Sequence, residues 1–443
     1  MCLIHPEHAE VGLRPDMHAT GFQCLTCGAS RPPEFRGYTC PSCEGNLDVT
    51  YDYDRIRESV GDRASFGMGR CDMLRYARLL PIEDISLASP LRVGSTPLYH
   101  AERLGRAAGL SQVYLKDEGL NPSASIKDRA GVVALIKARE LGATVIAVAS
   151  TGNAGSSMAC LAASVGVPCV VFVPEKAPPA KIAQLLVFGA HVLAVRGTYD
   201  DAFDLCRHVS DEVGWFNRNT GFNPYTREGK KTCSYEILEQ MDGEAPDRVI
   251  VPTGDGNIIS GIWKGFRDLL ALGYIERAPK IDCVQAEGSA AIVNAVDRLV
   301  AVGGRGSGAD WPALRIDPVR AHTVADSISV NAPRDGVAAV RAVVESGGRA
   351  VSVTDEELLS AVREMARLAG VFAEPAAAAP WAGAKKLAQQ GALSSEERVV
   401  CLLTGSGLKD VDAIRGVAGR VITIDADRDE ALRSVERLTL NVE

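Results

Sequence analysis

From about residue 112 onward, two spacings of apolar residues alternate along the chain. Short, nearly continuous apolar runs appear as QVYLKDE (112–118), TVIAVAS (144–150), PCVVFVP (168–174) and AHVLAVRG (190–197). Each run has the length of a buried strand. Between and after them lie stretches with apolar residues three and four apart: 128–142, 153–166, 178–189 and 199–214, and all four close on a glycine. That spacing and that stop predict helices. A second series repeats the alternation. Strands are predicted at 247–254, 280–288 and 398–407, with helices at 256–273 and 289–300. VSVTDEELLSAVREMARLAG (351–370) reads as a strand, then a helix opened by a capping box of Thr354 and Glu357. EPAAAAPWAGAKKLA (374–388) reads as a tightly packed helix, and the glycine-rich run 301–313 as an exposed loop.

Strands that are apolar throughout, each followed by a helix, call for parallel sheets covered on both faces. The expected fold class is therefore α/β, with two three-layer parallel-sheet domains. The division read from the pattern is 1–50 as a ribbon-like segment and 51–88 as a helical connector. A large domain takes 89–135 and 216–443, and a small α/β domain takes 136–215.

Composition narrows the function classes. The chain has 443 residues, 46% hydrophobic and 23% charged, with a net charge of −8. That balance argues against nucleic acid or an anionic membrane as the main partner. No apolar run approaches the ~20 residues of a membrane span. The first sixteen residues lack a basic start followed by an apolar core, so no signal peptide is expected and the protein is read as cytoplasmic.

Of 12 cysteines, eight are scattered singly and read as small buried thiols. The other four form two C-x-x-C knuckles, Cys24/Cys27 and Cys40/Cys43. This spacing matches a four-thiolate zinc ribbon, a structural site with no coordination position left open for catalysis.

Three strand ends carry candidate chemistry. VASTGNAGSS sets Ser150, Thr151, Gly152 and Asn153 where a buried strand runs into a helix. Hydroxyls and free backbone N–H groups there suit a carboxylate, although an N-cap alone would use the same residues. VPTGDGNIISG repeats the geometry with Gly254, Asp255, Gly256, Asn257 and Ile258, and a phosphate is the natural guest. LLTGSGLKD ends a third strand with the hydroxyl of Thr404, able to bond a ring nitrogen. NPSASIKDRA adds a lysine, Lys127, whose amine can form a Schiff base with an aldehyde. An amine, a phosphate cradle, an amide and a hydroxyl together match the functional groups of pyridoxal 5'-phosphate.

At this point the sequence resembles the threonine synthase family, within the fold type II (tryptophan synthase β-like) pyridoxal-phosphate enzymes. The shared motifs are the two-knuckle ribbon, GSTPLY, NPSASIKDRA, STGNAGSS, NPYTREGKKT, PTGDGNIISGIWKGF, ADSISV, FAEPAAAA and LLTGSGLKD, in family order over nearly the whole chain. The resemblance implies that Lys127 is the catalytic Schiff-base lysine and that Asn153 meets the cofactor's phenolic oxygen. Gly254 to Ile258 would hold its phosphate, Thr404 its pyridine nitrogen, and Glu374 would lie near the ring. Ser150, Thr151, Gly152 and Asn153 would meet the substrate, a small amino acid that the family takes in phosphorylated form. The implied reaction turns O-phosphohomoserine and water into threonine and phosphate through an aldimine on Lys127, in a homodimer. Four positions depart from the family pattern. Ala124 and Ile126 stand where it has glycine and phenylalanine, and Ala154 where it often has a hydroxyl. Thr226 takes the place of an arginine that helps bind the substrate phosphate, with Arg227 one position later. Arg227 is kept as a candidate for substrate binding, although one residue turns a helical side chain by about 100°, which would point it elsewhere and leave Lys230 or Lys231 to compensate. The alternative reading is a β-replacement synthase of the cysteate type or a serine/threonine dehydratase.

Overall fold

The computed structural model describes residues 18–61, 66–67, 69–301, 303, 309–419 and 421–436. The absence of a signal peptide, read from residues 1–16, therefore concerns a stretch outside the described residues, as do residues 302 and 304–308 of the glycine-rich run 301–313.

Among the described residues, thirteen strands form three sheets. At the N-terminus, β1 (Ala19–Cys24), β2 (Ser30–Arg31) and β3 (Leu47–Tyr51) make an antiparallel ribbon in the order β2-β1-β3. A helix (Tyr53–Val60) and two 3-10 turns (Met73–Leu79 and Ile85–Leu87) lead onward, in line with a helical connector. Next come β4 (Leu98–His100) and β5 (Val113–Asp117), then β6 (Ile146–Ala149), β7 (Cys169–Pro174), β8 (His191–Val195) and β9 (Phe216–Asn217). The last four are β10 (Arg248–Pro252), β11 (Lys280–Ala286), β12 (Ala350–Val353) and β13 (Val399–Leu403). The small sheet runs β8-β7-β6-β9 and is parallel throughout. The large sheet runs β12-β11-β10-β13-β5-β4, parallel except for the antiparallel edge strand β4.

Two features differ from expectation. β9 lies at 216–217, inside the stretch read as large domain, yet it pairs with β6 in the small sheet. A two-residue strand has no apolar period of its own, so nothing local marks it. Secondly, Cys71 is disulfide-bonded rather than a free thiol. Cys160, Cys169, Cys206, Cys233, Cys283 and Cys401 are buried and free, as read from the sequence, and Cys2 lies outside the described residues.

Two buried helices position the site. In Lys127–Glu140 every residue from Asp128 to Ala138 is buried, and in Tyr225–Gln240 every residue from Tyr225 to Leu238 is buried. Their close approach needs Gly229, because a Cβ there would sit 1.9 Å from the carbonyl oxygen of Arg129. The second helix carries Arg227, Glu228, Lys230, Lys231 and Glu236 into the interior. Buried ions require partners, and most of these find them. Arg129 reaches Glu118 at 2.7 Å and Glu236 at 2.6 Å, and Lys116 reaches Glu236 at 2.8 Å. This network ties the first helix to the second and to β5.

Candidate active site

Lys127 is the first residue of its helix, and the loop before it is fastened at both ends. Ser123 donates to Asp128 through its backbone N–H (2.7 Å) and its hydroxyl (2.5 Å). The N–H of Ile126 donates to the Thr404 carbonyl at 3.0 Å, and that of Ser406 to the Ala124 carbonyl at 3.1 Å. The lysine loop and the end of β13 are thus laced together, which sets Lys127 beside Thr404. Within this loop Ala124 has φ +63°, a left-handed conformation that glycine adopts more easily.

One cavity is lined by Lys127, Asn153, Gly254, Asp255, Gly256, Asn257, Ile258, Glu374 and Thr404. These residues come from five separate motifs and from strand ends of both the small and the large sheet: Asn153 from the β6 side, the glycine turn from β10, and Thr404 from β13. Gly256 opens the Asn257–Ala271 helix with φ +94°, and a Cβ there would lie 2.7 Å from the Asp335 carbonyl. Glycine is therefore required for the turn that presents backbone N–H groups at the helix start. Gly405 performs a second service. A Cβ on it would come 2.7 Å from Glu374 Oε1 and 3.2 Å from Asn153 Nδ2. Asn153 Nδ2 donates to Glu374 Oε1 at 2.9 Å and to Ser327 Oγ at 3.4 Å, which orients the amide.

Burial, helped by the Arg218 guanidinium, pushes the Lys127 ammonium down from its ordinary 10.5 to about 8, against the pull of Asp255 and Glu374. Burial also pushes both of those carboxyls up. The cavity thus holds an amine that is readily uncharged, a helix start for an anion, an amide steadied by a carboxyl, and a neutral hydroxyl. Pyridoxal phosphate presents an aldehyde, a phosphate, a phenolic oxygen and a ring nitrogen, so the donor set fits it group for group.

Ser150, Thr151 and Gly152 adjoin the cavity at the junction of β6 with the Asn153–Ala163 helix, where Ser150 Oγ accepts the Gly152 N–H at 3.2 Å. Arg227 is the one proposed site residue that is not brought to the cavity. Its Nε donates to Ser260 Oγ (3.1 Å), its Nη1 to Asp48 (2.9 Å) and its Nη2 to Asp335 (2.6 Å). Lys231 is equally occupied, 2.8 Å from both Glu228 and Asp268. Sequence reasoning missed Thr220 and Ser327, which also line the cavity, and Arg218 beside it. ADSISV was a motif without an assigned role, and the polar run after β9 had no signal of its own.

In the ribbon, Cys24, Cys27, Cys40 and Cys43 bring their sulfurs within 4.8 Å of one another. Cys24 and Cys43 are 3.5 Å apart, and Cys27 and Cys40 3.7 Å. Gly45 keeps the approach open, since a Cβ there would meet Cys24 Sγ at 3.0 Å.

Comparison with known proteins agrees with this geometry. Residues 90–405 match the family described as pyridoxal-phosphate dependent enzyme. The threonine synthase of Methanosarcina acetivorans is 40% identical over 409 residues, covering 92% of this chain and 96% of that protein. The threonine synthase of Methanocaldococcus jannaschii is 37% identical over 418 residues, covering 94% and 99%. Among solved structures, the processed form of threonine deaminase isoform 2 from Solanum lycopersicum superposes with a TM-score of 0.61 at 20% identity, over 76% of this chain and 90% of that one. At that identity the likeness speaks to the fold, which is that of the fold type II enzymes.

Proposed function

The chain belongs to the pyridoxal-phosphate dependent enzymes, among the threonine synthases, and from that premise we propose that it converts O-phosphohomoserine and water to threonine and phosphate. The observation that carries this reading is the meeting of Lys127, the Gly254–Ile258 turn, Asn153 and Thr404 around one cavity. When bound, pyridoxal phosphate supplies an electron-withdrawing ring that stabilises negative charge on the substrate carbon beside the amine. Lys127 would hold the cofactor through its amine, and the same amine would serve as the base that takes the proton from the substrate's Cα and returns it. Its depressed pKa keeps a useful fraction uncharged near neutral pH. The N–H groups from Gly254 to Ile258 hold the cofactor phosphate at the helix start. Asn153, steadied by Glu374, meets the phenolic oxygen. Thr404 meets the ring nitrogen without a negative charge, which suits elimination and replacement at Cβ and Cγ. Ser150 and Thr151 receive the substrate carboxylate.

Incubating the holoenzyme with O-phosphohomoserine should release threonine and phosphate in equal amounts. Oxoacid from serine or threonine in place of that would make it a dehydratase, and turnover only with phosphoserine plus a nucleophile would make it a replacement synthase. Thr226, a neutral residue at the phosphate-binding position, is the observation that favours those alternatives.

The four cysteines are read as a structural zinc site. A tetrahedron with Zn–S bonds of about 2.3 Å sets sulfurs about 3.8 Å apart, near the separations described above. One zinc per chain by elemental analysis, and a lower Tm after chelation, is the expected result. The same reading takes the active protein as a homodimer with the small unit extended to Asn217, measurable by light scattering and limited proteolysis.

A further inference from the structure

Thr226 removes a cation from the place where the family binds a phosphate, and Arg227 is fully engaged elsewhere. The charge returns from two other positions. Lys230 lies four residues after Thr226 in the same helix, so the two side chains share one face. Lys230 Nζ donates to Asn257 Oδ1, the same oxygen that the Thr226 hydroxyl meets at 3.3 Å. Lys230 therefore brings its ammonium to the spot that a long side chain at 226 would reach.

Arg218 arrives from the opposite side. It follows β9, and its N–H continues the ladder to the Ala147 carbonyl at 2.8 Å. Its Nη1 donates to Thr220 Oγ1 at 2.8 Å, and its Nη2 lies 3.5 Å from the Lys127 carbonyl. Its Nε is buried with no partner. Arg218 and Lys230 are both wholly buried, and among the described residues neither has a carboxylate within ion-pair distance. Burial, reinforced by repulsion from Lys127 and from each other, holds Lys230 well below its ordinary range, and burial also lowers Arg218 to about 10. Unpaired buried cations are unfavourable unless an anion joins them. The cofactor phosphate has its own donors in the Gly254–Ile258 turn on the large-sheet side. Arg218 stands on the small-sheet side, beside β6, whose end carries Ser150 and Thr151.

We infer that Arg218 and Lys230 form the anion site that receives the substrate's phosphate monoester, replacing the arginine absent at position 226. This inference rests on the proposed function. It is tested on the holoenzyme with Lys230→Gln, Arg218→Gln and Arg218→Lys, with inorganic phosphate as the probe. Loss of one charge-assisted hydrogen bond should raise the KM for O-phosphohomoserine roughly 10- to 100-fold in both glutamine variants. Competitive inhibition by inorganic phosphate should weaken by the same factor. Cofactor absorbance after dialysis should stay at the wild-type level, and Arg218→Lys should recover part of the loss. Unchanged KM and unchanged phosphate inhibition would overturn the inference. So would loss of cofactor in step with the rise in KM, because the cations would then serve the cofactor phosphate. If the wild-type enzyme does not accept O-phosphohomoserine, the function reading fails, and calorimetry with inorganic phosphate decides the site by itself. Binding lost in both glutamine variants keeps it; no binding by the wild type removes it.

Discussion

On the ribbon side of the Tyr225–Gln240 helix, Lys231 stands 2.8 Å from Glu228 and from Asp268, and Arg227 bridges Asp48 and Asp335. One residue away, on the cavity side, Lys230 meets only a neutral amide oxygen, in company with Lys127 and Arg218. The two lysines are consecutive, equally buried and chemically identical. Burial disfavours the charge of both, but the two carboxylates beside Lys231 outweigh it and raise that pKa, whereas Lys230 is lowered. The ribbon side is a closed set of ions whose business is structural. On the cavity side the carboxyls of Asp255 and Glu374 stand near Lys127, but among the described residues no carboxylate comes within ion-pair distance of Lys230 or Arg218.

The strongest challenge to this contrast is Lys127→Ala. Turnover should fall by ~10³-fold or more, with loss of the bound-cofactor absorbance, while the apoprotein keeps or gains Tm because an unpaired buried amine is gone. Next comes the lysine pair itself. Lys231→Met leaves Glu228 and Asp268 short of a counter-ion and should cost about 3 kcal/mol or more in denaturant unfolding. Lys230→Met should leave the apoprotein as stable as before or more so. Equal losses from the two would erase the distinction between the sides.

A pH experiment gives a smaller but cleaner signal. Capture of pyridoxal phosphate by apoprotein needs the neutral amine. The rate should climb as pH rises toward about 8, the depressed pKa of Lys127, and level off there; an unperturbed lysine would keep climbing toward 10.5. The smallest effect concerns the lysine loop. Ala124→Gly relieves a left-handed alanine but loosens the unfolded chain, so the net gain should be about 0.5 kcal/mol, read as a small rise in Tm.

The sequence displayed the α/β class well because β6, β7 and β13 are apolar almost throughout, β5 and β10 carry three apolar residues each, and the helices after β5, β6, β7 and β10 stop at or just before a glycine. It displayed the cofactor groups because Lys127, the Gly254–Ile258 turn, Asn153 and Thr404 each sit at a strand or helix end with a local signature. It concealed β9, too short for a period, and β4, an edge strand of three residues. It also concealed the character of the Tyr225–Gln240 helix. Thr-Arg-Glu-Gly-Lys-Lys-Thr offered Arg227, Lys230 and Lys231 only as candidates for an anion, but Arg227 and Lys231 pair with Asp48, Asp268 and Asp335, which lie far away along the chain. The same blindness hid Arg218, whose meaning comes from Lys127 and Lys230 rather than from its neighbours in sequence.

Asp48 of β3 sits 2.9 Å from Arg227 and 2.8 Å from Lys264, and Tyr51 donates to Glu228 at 2.5 Å. Arg227 in turn holds Asp335, whose other oxygen accepts from Asn257 Nδ2 at 2.8 Å, in the Gly254–Ile258 turn. The ribbon is consequently not a detachable module. A shortened gene that dropped it would take Asp48 from both Arg227 and Lys264, leaving each with one carboxylate, Asp335 and Glu228, and would remove the Tyr51 hydroxyl from Glu228 in the same event. The ion pairs that hold the Tyr225–Gln240 helix would then have to redistribute together, so the loss is felt at Asn257, one bond beyond Asp335.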